Sequence, residues 1–397
     1  MPRILQPRKD EPIRLVETHD GPRYRVVLTT SPKGAPRRQT TRTFDTLPEA
    51  RKFVTQTRAQ LARGEFAAPS KLTLSGLVRA WLASRRDIRS ISLHRYETVL
   101  TPVLAHLGHR KAQSLTRRDV ESVIERLVTA GLSQRTIVYT LGALRQVLQF
   151  GVSDGALSQN VAKDVRAPRR KKGDRRVIRP WEPEELAKFR TAADAERLYY
   201  AVAFRLTLCG LRRSEVLGLA WEDVDLDAGT IKVKASRVAV GDGRVERDDA
   251  KSEASERTVP VEEIERGTVA LLRALRQQQR EDRLAAGPAY GHTTTAATSA
   301  PQVSLVVVDE LGLPVHPDAY TARFRAVGRR AALPAVGMHS VRHALALRMH
   351  RLGVAPADAA SLLGHTVGTH LNFYVPKTTR GAASAASALG EANRAFG

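Results

Sequence analysis

The chain has 397 residues, more than one hydrophobic core usually serves, and its 42% hydrophobic and 26% charged content excludes a fibrous or globally disordered protein. Sixty-four Lys and Arg against 41 Asp and Glu leave a formal net charge of +23, an excess that concentrates polyanions and makes nucleic acid the expected partner. No run of about 18 apolar residues is present to span a membrane, and the single Cys209 excludes an internal disulfide or a cysteine metal cluster. The opening Met1-Pro2-Arg3-Ile4-Leu5 runs into charge rather than into a signal-peptide core, so a bacterial-type cytoplasm, at the nucleoid, is expected.

In chain order, residues 1–66 read as a small module of three strands and one helix. Asp20-Gly21 is a hairpin signal, followed by strand-type Tyr24-Arg25-Val26-Val27-Leu28. A Pro32-Lys33-Gly34 turn then leads through Arg37, Arg38 and Arg42 to Phe44. Thr46 with Glu49 three positions on, and Pro48 between them, marks a helix start. Arg25, Arg37 and Arg38 are expected on the outer face, against a DNA groove.

Residues 72–168 change to helical spacing. Leu74, Leu77, Val78, Trp81 and Leu82 form one apolar stripe, Val120, Val123, Ile124 and Leu127 a second, and Ile137, Leu141, Leu144, Leu148 and Phe150 a third. Thr116 and Asp119 cap the second. Arginines on the polar faces serve solvation or DNA contact equally well.

The run 169–176, which includes Arg169, Arg170, Lys171 and Lys172, breaks the periodicity and reads as a linker lying along a phosphate backbone. Residues 177–397 are mainly helical, with one small antiparallel sheet expected from Thr230-Ile231-Lys232-Val233, Arg237-Val238-Ala239-Val240 and Thr258-Val259-Pro260-Val261. Residues 284–302, rich in Ala, Thr, Gly and Pro, are expected to be a disordered loop. The fold class is α+β, mostly helical.

Four short blocks in the last domain carry chemistry. They are Gly210-Leu211-Arg212-Arg213-Ser214-Glu215, Ala250-Lys251-Ser252 followed by Arg257-Thr258-Val259-Pro260-Val261, His339-Ser340-Val341-Arg342-His343, and Leu362-Leu363-Gly364-His365 with Tyr374 nine residues after the histidine. Taken singly, each has an ordinary structural reading as a helix start, an exposed turn or a core residue. Their order and spacing together resemble the tyrosine recombinases of the phage-integrase branch. That resemblance covers the whole C-terminal half, and the two preceding modules resemble the branch's arm-type DNA-binding domain and helical core-binding domain.

The resemblance implies a role for each matching residue. Arg212 and Arg342 would hold the non-bridging oxygens of a phosphodiester as its five-coordinate transition state gains negative charge. His365 adds a hydrogen bond to that phosphate. Lys251 matches the general acid for the leaving 5′ oxygen, and His339 the group that handles the phenolic proton. Glu215 matches an acid that orients Arg212. Tyr374 is then the nucleophile, and its 3′-phosphotyrosyl ester keeps the bond energy, so rejoining needs no ATP.

Neither a Walker-type glycine loop nor a carboxylate triad for two Mg²⁺ ions is visible, so no cofactor is expected. His339, His343, His350, His365 and His370 lack metal spacing and matching acids, so no metal is expected either. Ser214 departs from the glycine more common in the family, and Phe373 and Val375 replace more polar neighbours of the tyrosine.

The whole reading is an integrase that inserts, and also excises, a phage or mobile element. It would act on double-stranded attachment sites as a homotetramer that exchanges strands in pairs through a Holliday junction, with its tail docked into a neighbouring subunit. An excisionase and a DNA-bending protein are its expected helpers. The rivals are a type IB topoisomerase, which should lack the first module and the tail, and a non-catalytic DNA-binding regulator, including one whose site has decayed.

Overall fold

The computed structural model describes residues 5–19, 21–29, 39–63, 66–169, 179–241, 244–249, 256–291 and 303–373, with 386–387, 389–391 and 393–394 near the end of the chain. Asp20, Pro32-Lys33-Gly34, Arg37, Arg38, Arg170, Lys171, Lys172, Lys251 and Tyr374, all singled out from sequence, lie outside the described residues. The chain divides into two compact units, Met1–Asp174 and Arg175–Gly397.

The first unit begins with β1 (Ile13–Thr18), β2 (Gly21–Thr29) and β3 (Gln39–Phe44), an antiparallel sheet in that order, followed by α1 (Leu47–Ala62). Thr46 caps α1 by accepting from the Glu49 N–H at 3.4 Å. Alternation decides the faces: Tyr24, Val26 and Leu28 turn inward and pack with Ile13, Leu47, Ala50 and Val54. Arg25 therefore faces outward, in register with Arg14 on β1 and Thr43 on β3. Arg42, on β3, is exposed. It pairs with buried Val26, and directly paired residues share a face, so its guanidinium sits 5.4 and 5.5 Å from the rings of Phe44 and Phe53.

A second core of the same unit joins α2 (Leu74–Ser84), α3 (Ser90–Leu107), α4 (Arg117–Thr129) and α5 (Gln134–Ser153). The predicted cap of α4 is a full capping box, Thr116 with Asp119. Helix α3 escaped the sequence reading because only Leu100, Val103 and Leu107 of its 18 residues are buried, all in its second half. Beyond α5 the chain folds back, adding Leu157, Ala162 and Val165 to the core, and Arg145 donates to the Ala162 carbonyl at 3.0 Å. Arg169 follows, exposed.

The second unit contains α6 (Pro183–Asp194), α7 (Leu198–Leu208), α8 (Arg213–Gly218), β4 (Val224–Asp225), β5 (Thr230–Val233), β6 (Ala235–Gly241), β7 (Arg244–Asp249), β8 (Arg257–Val259) and α9 (Val261–Ile264). It continues with α10 (Thr268–Ala286), α11 (Pro317–Arg330), α12 (Met338–Arg351), α13 (Pro356–Leu363) and α14 (Val367–Phe373). Helix α7 is apolar nearly all round and lies in the middle of the core, where Phe189, Phe204, Tyr320, Phe324 and Trp181 stack. Its C-terminal end delivers Gly210 and Arg212 to the site described below.

Two expectations for this unit need correction. The single small sheet is two separate ones: β4-β5-β8, and a β6-β7 hairpin. The Arg237–Val240 stretch pairs with β7, whose Arg-Val-Glu-Arg-Asp-Asp sequence has no apolar alternation to announce a strand; backbone pairing with β6 makes it one. Within 284–302, α10 continues to Ala286 and a 3-10 turn spans Gly287–Ala289; residues 292–302 lie outside the described ones. Among the described residues no helix is long and apolar enough to cross a membrane.

Trp81 is 2% exposed and meets Tyr96 edge-on at 4.8 Å. Trp81→Ala is expected to cost the helical core about 3–5 kcal/mol, read as a lowered denaturant midpoint at unchanged slope.

Candidate active site

The site is assembled around one turn. Helix α13 ends at Leu363, and Gly364 follows in the left-handed region at φ 61°, ψ 58°, which sends His365 back toward the core. A side chain at Gly364 would also meet Nη1 of Arg257 at 2.6 Å, so both backbone and space require glycine there. Gly210 is the matching case at the end of α7. Its φ is +88°, and a Cβ would strike Leu345 and Leu363 at 2.8 and 2.9 Å.

Two arginines from distant elements converge on this turn. Arg212, at the N-cap of α8, donates Nη2 to the Gly364 carbonyl at 2.7 Å. Arg342, in the second turn of α12, donates Nη2 to the Leu363 carbonyl and Nη1 to the Gly210 carbonyl at 2.8 Å. The same Nη2 lies 2.9 Å from Nδ1 of His365. The arginines differ in access: the Arg212 side chain is 33% exposed, whereas Arg342 is 2% exposed.

A third cation completes the arrangement. Buried Glu215 accepts from Arg212 Nη1 through Oε1 and from the Arg212 backbone N–H through Oε2 at 2.8 Å. On its other side Arg257, at the start of β8, donates Nη2 to Oε2 at 2.9 Å and Nη1 to Oε1 at 3.3 Å. Arg257 also donates Nε to the Leu362 carbonyl at 2.8 Å. Burial alone would raise the Glu215 pKa, but the hydrogen bond and charge of Arg257, then the charge of Arg212, hold it down at about 2.

The histidines form two pairs. His365 Nε2 lies 3.1 Å from Nδ1 of His370, which is buried on α14. A guanidinium can only donate, so His365 accepts at Nδ1 and, when neutral, carries its proton on Nε2, toward His370. His339 stands one turn before Arg342 on α12 and meets His343 edge-on, ring centres 5.1 Å apart. Burial lowers both pairs. His339 is brought to about 4, with further lowering by His343, Arg342 and Arg212; His365 is brought to about 4, with Arg342 next after burial. At neutral pH both are uncharged bases.

The described residues thus bring Arg212, Glu215, Arg342 and His365 into one bonded cluster and put His339 one helical turn from Arg342. Tyr374 follows α14 directly in sequence, and Lys251 precedes Arg257 by six residues. Arg257 and His370 were quoted in the sequence without a role. The signal for Arg257 was an arginine opening a short strand that ends on buried Val259; for His370 there was none. Arg14 and Arg25 share the outer face of the N-terminal sheet.

The chain matches known protein families in both of its units. The model described as "Phage integrase family" matches residues 176–380, and "Phage integrase, N-terminal SAM-like domain" matches residues 79–155. A tyrosine recombinase XerC-like protein of Caldanaerobacter subterraneus subsp. tengcongensis is 25% identical over 327 residues, 77% of this chain and 80% of its own. The ICEBs1 integrase of Bacillus subtilis is 25% identical over 268 residues, 66% and 67% of the two chains. Among solved structures, the Tn1549 transposon integrase in complex with transposon right end DNA superposes with a TM-score of 0.62 at 18% identity, over 80% of this chain and 99% of that one. A lambda integrase tetramer bound to a Holliday junction gives 0.55 at 15%, over 90% and 97%.

Fold and family matches together define a tyrosine-type site-specific DNA recombinase. The chain belongs to the phage integrase family, whose model spans just over half of it.

The lowered histidine pKa values have a consequence for stability. Between the ordinary value of 6.5 and about 4 the unfolded chain binds more protons than the folded one, so folding weakens as pH falls through that window. Glu215 acts in the same direction at lower pH: its contribution is complete above 4.5 and is lost as pH falls toward 2. The melting temperature should therefore fall between pH 7 and 4.5, less steeply in the double variant His339→Gln, His365→Gln. An equally steep fall in that variant contradicts the assignment.

Proposed function

We propose that this recombinase cleaves DNA by attack of Tyr374 on a phosphodiester held by Arg212, Arg342 and His365, and that it integrates and excises a mobile element. The observation that carries the reading is the convergence of both guanidiniums on neighbouring carbonyls of the Leu363–Gly364 turn, with His365 next in the chain. A phosphate entering there meets fixed positive charge that needs no rearrangement of solvent as the transition state forms.

Each side chain then has a defined task. Arg212, the more open of the two, takes a non-bridging oxygen. The Nε2 proton of His365, directed at His370 in the free chain, is transferred as a hydrogen bond to the phosphate. Arg342 fixes the His365 ring through Nδ1 and adds its charge from below. Neutral His339 takes the phenolic proton as the Tyr374 oxygen bonds phosphorus, and Lys251 protonates the departing 5′ oxygen. Reversal of those two transfers rejoins a strand, with the phosphotyrosyl bond breaking as the new phosphodiester forms. His339, brought to about 4 mainly by burial, is uncharged from pH 5 upward, the form that can accept a proton.

We assign residues 1–66 to distal arm sites, 72–168 and 177–397 to the core site, and 169–176 to a linker whose Arg169, Arg170, Lys171 and Lys172 follow the phosphate backbone. Arg25, Arg37 and Arg38 contact DNA from the first module. The working assembly is a tetramer on paired attachment sites in the cytoplasm, with an excisionase and a DNA-bending protein as helpers. The family relatives and the basic surface support this reading.

A nicked suicide DNA duplex is the direct test. Wild-type protein should form a denaturation-resistant adduct, and Tyr374→Phe none; an adduct from that variant, or none from wild type, removes Tyr374 as nucleophile. Binding should also weaken by about a thousandfold or more from 50 to 200 mM salt if several phosphates are neutralised, and a flat salt response in a gel-shift titration argues against the basic surface.

A further inference from the structure

We propose that Arg257 is a positioning residue for the cleavage step, acting by balancing the charge of Glu215 so that Arg212 keeps its positive charge for the scissile phosphate; this rests on the assignment of Arg212 to that phosphate. Arg257 cannot take that role itself, because its side chain is 6% exposed and its fork faces inward on the Glu215 carboxylate.

Charge explains why a second arginine is needed. Glu215 is an obligatory partner for Arg212: it fixes the guanidinium from one side and satisfies the backbone N–H that opens α8. A buried carboxylate against a single guanidinium makes a neutral pair, and an approaching phosphate would then be attracted by Arg342 but not by the Arg212–Glu215 pair. With Arg257 forked onto the same carboxylate the three groups carry a net single positive charge, and the exposed member is Arg212. Attraction at a few ångströms in a partly desolvated site is strong, so one net charge decides whether the cluster favours the transition state.

Geometry supplies the second half of the argument. The Nε of Arg257 binds the Leu362 carbonyl at 2.8 Å, and its Nη1 fills the space that a side chain at Gly364 would occupy. Arg257 therefore sets both the carboxylate that aims Arg212 and the turn whose carbonyls receive Arg212 and Arg342. Its planar fork serves three acceptors at once, which an ammonium cannot do with the same direction.

The test uses the full chain on the suicide duplex under single-turnover conditions, with binding measured separately on intact DNA and folding checked by thermal melting. Arg257→Met should slow adduct formation by about a hundredfold, while DNA affinity stays within about threefold. Arg257→Lys, which keeps the charge, should recover at least about tenfold of that loss. The double variant Arg257→Met, Glu215→Gln should cleave faster than Arg257→Met alone, because removing the surplus negative charge returns the cluster to net positive.

If Arg257→Met does not fold, Arg257→Lys and the double variant still decide the matter, the expectation being that both cleave within about tenfold of each other. The proposal is overturned if Arg257→Met cleaves at the wild-type rate, if Arg257→Lys is no better than Arg257→Met, or if the double variant is the slower one. Absence of an adduct from wild-type protein would instead overturn the assignment of the nucleophile, so the two failures are distinguishable.

Discussion

The active region depends on a single constraint: buried carbonyl and carboxylate oxygens must be matched by guanidinium donors with little room for error. Leu362, Leu363 and Gly364 turn their carbonyls inward at the end of α13, where a helix leaves its last acceptors unsatisfied. Arg257, Arg342 and Arg212 satisfy them in that order. The arginines are thereby fixed before any substrate arrives, and the helix end is stabilised by the same bonds.

The same packing requires glycine at two positions. Gly364 makes room for Arg257 and takes the left-handed turn; Gly210 lets α7 end against Leu345 and Leu363 while its carbonyl receives Arg342. Each lies beside a charged residue that the chemistry needs. Backbone conformation and electrostatics are thus inseparable here, and a substitution with no charge of its own would displace two guanidiniums.

Much of the architecture was legible in sequence where one periodicity ruled. The stripes of α4 and α5, the Thr116 cap and the alternation of Tyr24, Val26 and Leu28 all lie where spacing put them. The misses have physical causes. Helix α3 buries too few residues to show a stripe, and β7 is held by backbone pairing without an apolar pattern. Within the site, order and spacing brought out Arg212, Glu215, His339, Arg342 and His365. Arg257 and His370 were not legible as partners, since their roles come from contacts at Glu215 and His365 that no linear motif contains.

The bonds that build the cluster span 105, 132 and 152 residues of chain. Such long loops are closed late, because the entropy of bringing their ends together is lost before the contacts repay it. During synthesis the segment carrying Leu362 to His365 emerges long after the basic N-terminal module. A nascent chain, or one truncated before α13, therefore lacks the carbonyls on which Arg212, Arg257 and Arg342 converge. The three guanidiniums are in this way brought together only when the second unit is complete.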